Sequence, residues 1–389
     1  MKKGILLLGL MIMFACSAIP PQTVHGAASK PALYSNKAIT IVAETGEVIY
    51  SKNGTVRDFP ASTTKVLTGL LLIERLKPTD TITMTKRSLQ EERSNDQILF
   101  TEGERITRDE AIRILMVNSN NNLAYAIGER ISGSVASFAV LMNKRAKELG
   151  AKNSTFANAS GLPNAKHQTT AYDLAMITRE AIKQPLLVKA MSTTKTYVQT
   201  SRQRVLLTKT SSIYSKPNFM AAKTGYTSAS KHTLVEVSRK NNITLIHVVL
   251  RSSANRYVND MKLLDAYGFG KVRLVKLVDR NSWKPKLAVL DRQVEGKLKQ
   301  DLVIPTALPA SHFQTKLVQN SLSSNDLLQN GISPLQKLGL VELYLANVKV
   351  KELAVVSSKR YSFGDTAIAS VLKVFHKLQL KEGLPLTHF

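Results

Sequence analysis

The sequence runs to 389 residues, enough for two domains and a sizeable core, and its 43% apolar content with a mean hydropathy near zero describes an ordinary soluble protein. Its 54 Lys and Arg outnumber 28 Asp and Glu, for a formal charge of +26. These cations are scattered through amphipathic segments, with no basic arm, zinc-finger spacing or RNP-like aromatic motif, which argues against nucleic acid as a partner and for an anionic envelope surface.

Met1-Lys2-Lys3 and the apolar run from Gly4 to Ala15 read as an export signal over residues 1–26, cleaved near Gly26. The protein is therefore expected outside the cytoplasm, at the outer face of the membrane or in the wall. The only cysteine, Cys16, falls inside this segment, so the mature chain carries neither a disulfide nor a thiol nucleophile. Lipidation of Cys16 is the alternative, although Met13-Phe14-Ala15 departs from the usual small and aliphatic lead-in.

Residues 38–43 and 48–50, joined through Glu44-Thr45-Gly46-Glu47, predict a β-hairpin. Pro60-Ala61-Ser62-Thr63-Thr64-Lys65 then opens an apolar helical run, placing Ser62 in its first turn. On a helix, residues three apart share a face, so the Lys65 amine can reach the Ser62 hydroxyl and activate it without a histidine, while the helix N-terminus faces charge developing on its oxygen. The pattern is weak alone, because Ser-x-x-Lys recurs at Ser192/Lys195, Ser228/Lys231 and Ser370/Lys373.

Residues 77–106 read as short strands and loops. Thr107 caps a helix that stops at the polar run 118–122, helical patterning resumes at Leu123, and a further helix from about Val135 ends at Gly150. After a Gly/Asn-rich loop, Thr170 caps a helix to about Lys183. Three strands follow, 219–223, 232–237 and 243–250, and their short connections predict an antiparallel sheet packed on the helices. A helix from Val258 closes on Gly268. From Lys271 the texture becomes short β runs, and Ile368, Val371, Leu372, Phe375 and Leu378 fall at helical spacing near several cations, as in a helix lying on a membrane surface. The expected division is thus 30–270, 271–360 and 361–389.

Three short motifs occur in order: Ser62-x-x-Lys65, Ser119-x-Asn121 and Lys223-Thr224-Gly225, the last occurring once. They sit at a helix start, a polar break between helices, and a strand end where glycine lets a ligand approach the backbone. With Thr45-Gly46 and Phe156-x-Asn158-x-x-Gly161-Leu162, the chain resembles the low-molecular-mass penicillin-binding proteins, serine-type D-alanyl-D-alanine carboxypeptidases. The resemblance covers nearly everything after residue 26. It implies an α+β fold: a penicillin-binding transpeptidase-like domain, antiparallel sheet with helices, then a small β domain and a C-terminal amphipathic helix.

The resemblance makes Ser62 the nucleophile on the carbonyl between two terminal D-alanines, Lys65 its base, and Ser119 the relay that protonates the departing D-alanine. It makes Asn121 a holder of the peptide backbone, and Lys223 and Thr224 readers of the terminal carboxylate. Gly225 keeps the strand edge open, and the backbone NH groups of Ser62 and Tyr226 form an oxyanion hole. Burial of Lys65 beside Lys223 is expected to lower its pKa and supply a neutral amine. Arg251 and Arg256 both remain candidates for the substrate carboxylate, and Asn122 stands where relatives often have aspartate.

The implied partners are peptidoglycan stem peptides, β-lactam antibiotics and an anionic membrane surface. The seven histidines show no metal-ligand spacing, so neither metal nor other cofactor is implied, and His167, His232 and His247 read as structural or surface residues. A β-lactamase of the same fold would use a loop glutamate for deacylation, and residues 150–178 contain none. A transpeptidase differs only in its acceptor; loss of a motif residue would support a non-catalytic cationic wall-binding protein, and none is lost, so that alternative rests on the net charge.

Overall fold

A computed structural model of the chain describes residues 29–91, 97–254, 256–290 and 292–363. The export segment, with Cys16, and nearly all of the amphipathic stretch expected over 361–389 lie outside the described residues.

The predicted first hairpin is present: β1 (Lys37–Val42) and β2 (Val48–Lys52) run antiparallel, with Gly46 at φ +76° in the turn. A 3-10 turn over Ala61–Thr64 leads into α1 (Lys65–Arg75), so Ser62 stands just ahead of the helix and not in its first turn. Ala61 causes this displacement, because its left-handed φ of +49° bends the chain before helical geometry can start.

Residues 77–106 contain β3 (Thr81–Thr83), α2 (Lys86–Glu91) and β4 (Arg105–Thr107), of which the helix was not expected. α3 (Arg108–Val117) starts at Thr107, whose hydroxyl accepts from Glu110 N at 3.4 Å. α4 (Asn121–Ser132) starts at Asn120, whose Oδ1 accepts from Leu123 N at 2.8 Å, and the polar break therefore narrows to residues 118–120. α5 (Val135–Glu148) and α6 (Ala171–Ala181) follow, the latter capped by Thr170 as predicted. Then come α7 (Pro185–Ser192) and the hairpin of β5 (Lys195–Gln199) and β6 (Arg204–Thr208), all unpredicted.

β7 (Phe219–Thr227), β8 (Lys231–Lys240) and β9 (Ile243–Ser252) complete an antiparallel sheet in the order β2-β1-β9-β8-β7. Lys223-Thr224-Gly225 therefore lies inside the edge strand β7, not at its end, because the ladder with β8 continues to Thr227. α8 (Tyr257–Lys271) likewise runs through Gly268. A Cβ there would stand 2.6 Å from Leu245 Cδ1, so this glycine lets the helix close on β9 and does not end it.

Strand alternation gives the sheet two cores. Ile39, Ile41, Val235, Val237 and Val248 pack with the apolar faces of α1, α3 and α4, while Ala38, Leu234 and Val249 pack with Val258, Met261 and Leu264 of α8.

Beyond α8 come β10 (Arg273–Val278), β11 (Lys286–Val289), β12 (Arg292–Leu298), β13 (Leu302–Thr306), β14 (Phe313–Gln319), α9 (Ser324–Asn330), β15 (Lys337–Leu345) and β16 (Val348–Ser357). β10 pairs with β13, and the other five strands form a sheet in the order β11-β12-β16-β15-β14 over an apolar cluster of their own that includes Val294, Leu338 and Val341. Glu47, in the first hairpin's turn, accepts from Thr306 Oγ1 (2.5 Å) and Ala307 N (3.1 Å), joining the two sheets' regions. The architecture is α+β.

Candidate active site

Lys65 Nζ lies 3.1 Å from Ser62 Oγ and donates to Asn121 Oδ1 and the Ser160 carbonyl, both at 2.7 Å. Lys65 is fully buried, whereas Ser62 and Asn121 are partly exposed. A reactive hydroxyl thus opens to solvent above an amine that does not. Two contacts to carbonyl oxygens thus hold the Lys65 nitrogen in place beside the Ser62 hydroxyl.

The Ser160 carbonyl is delivered by a loop built for that purpose. Asn158 Oδ1 accepts from Gly161 N (2.7 Å) and its Nδ2 donates to the Leu162 carbonyl (3.0 Å), closing the turn around Ser160. Gly161 has φ +88°, and a Cβ on it would stand 1.8 Å from the Ala61 carbonyl oxygen. Behind the loop, buried His167 accepts from Ala157 N at Nδ1 (3.1 Å), which leaves the proton on Nε2 to bond Thr64 Oγ1 (2.9 Å). Burial, and then the charge of Lys65, draws His167 down to about 4, so it is a neutral imidazole that holds the nucleophile turn. Its partners are a main-chain NH and a threonine, which no spacing in the sequence announces.

Facing Ser62, Lys223 Nζ donates to Ser119 Oγ (2.9 Å) and to the Thr224 carbonyl (2.7 Å). Ser119 has φ +63°, a left-handed conformation that turns its side chain out of the α3–α4 break. Burial, and then the charges of Lys65 and Lys209, holds the Lys223 ammonium well below the ordinary lysine value. Lys209 enters here as a third cation that the sequence did not single out.

Gly225 brings β7 against the nucleophile: a Cβ on it would lie 2.8 Å from Ser62 N and 2.5 Å from Thr233 Oγ1. Thr224 is partly exposed beside it, and Tyr226 is exposed, its ring 4.7 Å from that of His232. The structure therefore gathers Ser62, Lys65, Ser119, Asn121, Lys223 and Gly225 at one cleft, with Thr224 and Tyr226 along its β7 wall.

Of the two arginines, Arg251 is committed elsewhere, its Nε and one terminal nitrogen bonding Asp58 at 2.8 and 2.7 Å. Burial opposes ionisation of Asp58, but the bonds from Arg251 and Lys37 prevail and hold it below the usual carboxylate range. Arg256 lies over the Tyr34 ring, 4.2 Å from its centre. Asn122, where an aspartate was the comparison, donates to the Ser88 carbonyl at 2.8 Å and ties α4 to α2.

The D-alanyl-D-alanine carboxypeptidase family model matches residues 24–254. The D-alanyl-D-alanine carboxypeptidase DacF of Bacillus subtilis is 31% identical over 353 residues, covering 87% of this chain and 88% of its own. DacD of Escherichia coli is 24% identical, with 97% of this chain and 99% of its own covered. Among solved structures, PBP3 of Streptococcus pneumoniae, described as a peptidoglycan synthesis regulatory factor, shares the fold at a TM-score of 0.68, 19% identity, and coverage of 85% of this chain and all (100%) of its own. Penicillin-binding protein 5 of Haemophilus influenzae gives a TM-score of 0.62 at 21% identity, covering 86% of this chain and 99% of its own. On the breadth of these matches, which span both the cleft and the β-rich region after it, this chain belongs to the D-alanyl-D-alanine carboxypeptidase family.

Proposed function

We propose that the chain is a serine-type D-Ala-D-Ala carboxypeptidase that removes the terminal D-alanine of peptidoglycan stem peptides and is acylated by penicillin. The placement of Lys65 Nζ 3.1 Å from Ser62 Oγ, opposite the Ser119–Lys223 pair, carries this reading. Ser62 Oγ attacks the penultimate carbonyl and gives its proton to Lys65, which forms the C–O bond of a tetrahedral intermediate. Backbone NH groups of Ser62 and Tyr226 receive the oxyanion, each such donor being worth about 3 kcal/mol in the transition state. The close approach of β7 at Gly225 supports that assignment.

Collapse of the intermediate breaks the peptide C–N bond, and Ser119 passes the proton to the leaving D-alanine nitrogen. Lys223 and Thr224 take the terminal carboxylate, and Asn121 holds the peptide backbone. Water then attacks the acyl-enzyme, Lys65 again accepting a proton, and Ser62 is restored. Penicillin follows the first half of this path and stalls at the ester. Mass spectrometry of peptides from penicillin-treated protein tests the nucleophile: an adduct on Ser62 is expected, and an adduct on another serine contradicts it.

The wider arrangement is part of the same proposal: an exported enzyme whose 30–270 region carries the site, a β-rich 271–360 region, and an amphipathic 361–389 end lying on an anionic membrane. The separate apolar clusters of the two regions and the cationic composition support it. Among the described residues no helix is long and apolar enough to cross a membrane.

A further inference from the structure

Lys209, just past β6, is a half-buried lysine with no carboxylate partner among the described residues. Its Nζ donates to the Met191 carbonyl (3.1 Å) and the Met116 carbonyl (3.4 Å), and it lies 4.5 Å from the centre of the Tyr214 ring. Both carbonyls belong to the last turns of helices, α7 and α3, where main-chain oxygens lack helical partners and the dipole is negative. Two carbonyls and an aromatic face thus surround the ammonium, contacts that hold it as a fastening between helices. The turn that Lys209 holds at Met116 leads directly to Ser119, and its charge reaches Lys223, the partner of Ser119.

We infer that Lys209 is a positioning residue for acyl transfer at Ser62: its ammonium fastens the ends of α3 and α7 together beside Ser119 and sets a positive charge next to Lys223. The inference rests on the carboxypeptidase reading above. A lysine that only capped two helices would affect folding and nothing else. Here the reaction follows the charge of Lys209, because loss of that charge both loosens the turn before Ser119 and weakens the field that receives a carboxylate.

That charge is labile. Burial of the ammonium end draws Lys209 down to about 7. Lys223 is the cation facing it from β7, and Tyr214, whose phenol burial holds above its ordinary value, faces it from the 3-10 turn Ser212–Ser215; α3 and α7 meet it with main-chain carbonyls.

The test measures Ser62 acylation by a fluorescent penicillin and D-alanine release, from about pH 5 to about pH 9, in the full chain, Lys209→Arg and Lys209→Met. Arginine stays charged throughout and methionine never is. The rate of the wild type relative to Lys209→Arg is expected to be flat in acid and to fall through about pH 7, toward a Lys209→Met rate about tenfold lower. A ratio without that fall, or a Lys209→Met rate equal to wild type in acid, overturns the inference. Should Lys209→Met fail to fold, the ratio to Lys209→Arg decides alone. Acylation without D-alanine release overturns the carboxypeptidase reading while the acylation ratio still judges Lys209; absence of both reactions from folded wild type overturns both.

Discussion

The Ala61 carbonyl oxygen occupies the space that a side chain on Gly161 would need, 1.8 Å from the position of its Cβ. Two segments a hundred residues apart thus meet backbone to backbone, and the contact fixes both the left-handed turn before Ser62 and the Ser160 carbonyl that receives Lys65. Gly161→Ala is expected to cost about 3 kcal/mol, from the clash and from the positive φ together. Thermal unfolding reads the loss. Penicillin acylation should fall with it even below the melting temperature, and an active, stable alanine variant would contradict the geometry.

Lys65→Arg keeps a nitrogen within hydrogen-bond reach of Ser62 but, always protonated, cannot offer a neutral one at any working pH. Acylation should drop by about a thousandfold or more, as when one member of a nucleophile–base pair is removed. Stopped-flow acylation with circular dichroism as a folding control checks this. Near-normal acylation by the folded arginine variant would remove Lys65 from the role of base.

His167 is neutral in the folded protein because burial, then Lys65, lowers it to about 4, below the value near 6.5 of an unfolded histidine. The unfolded chain therefore takes up a proton first as pH falls. The stabilisation associated with a neutral His167 is complete above about pH 6.5 and is lost progressively toward pH 4. His167→Gln, which keeps polar atoms for Thr64 and Ala157, should flatten this part of the stability curve. Denaturant midpoints measured across that range for both proteins decide, and parallel curves would contradict the assignment.

Gly268→Ala separates two readings of one glycine. If Gly268 were merely a poor helix former, alanine would stabilise α8 by about 1 kcal/mol. Its Cβ would instead meet Leu245 Cδ1 at 2.6 Å, so a loss of about 1–3 kcal/mol is expected. The sign of the change in melting temperature is the measurement.

What the sequence made legible was what short-range chemistry determines. Thr107, Thr170 and the Glu44–Glu47 turn announce their caps and hairpin because donor and acceptor are a few residues apart. The three motifs were readable for the same reason, each pair of groups sharing one turn or strand. Ser62 was misplaced into a helix because the positive φ of Ala61 is imposed by Gly161 and Gly225, far along the chain. Gly268 looked like a stop because the packing that requires it lies on β9. The β5–β6 hairpin turns through Ser201-Arg202 without Gly or Asn, so it lacked a turn signal. His167 was readable as a structural residue but its partners were not, and Lys209 escaped notice, because main-chain groups from distant segments are among their partners and composition does not encode these.

D-alanine release from a peptide ending in Lys-D-Ala-D-Ala, by wild type, by Ser62→Ala and by penicillin-treated protein, reads both the reaction and its nucleophile. Steady release by the wild type is expected, with a loss of about a thousandfold or more in the other two. Folded wild type that takes penicillin on Ser62 yet releases no D-alanine would rule out carboxypeptidase activity, and a Ser62→Ala protein that still releases it would rule out Ser62 as the nucleophile.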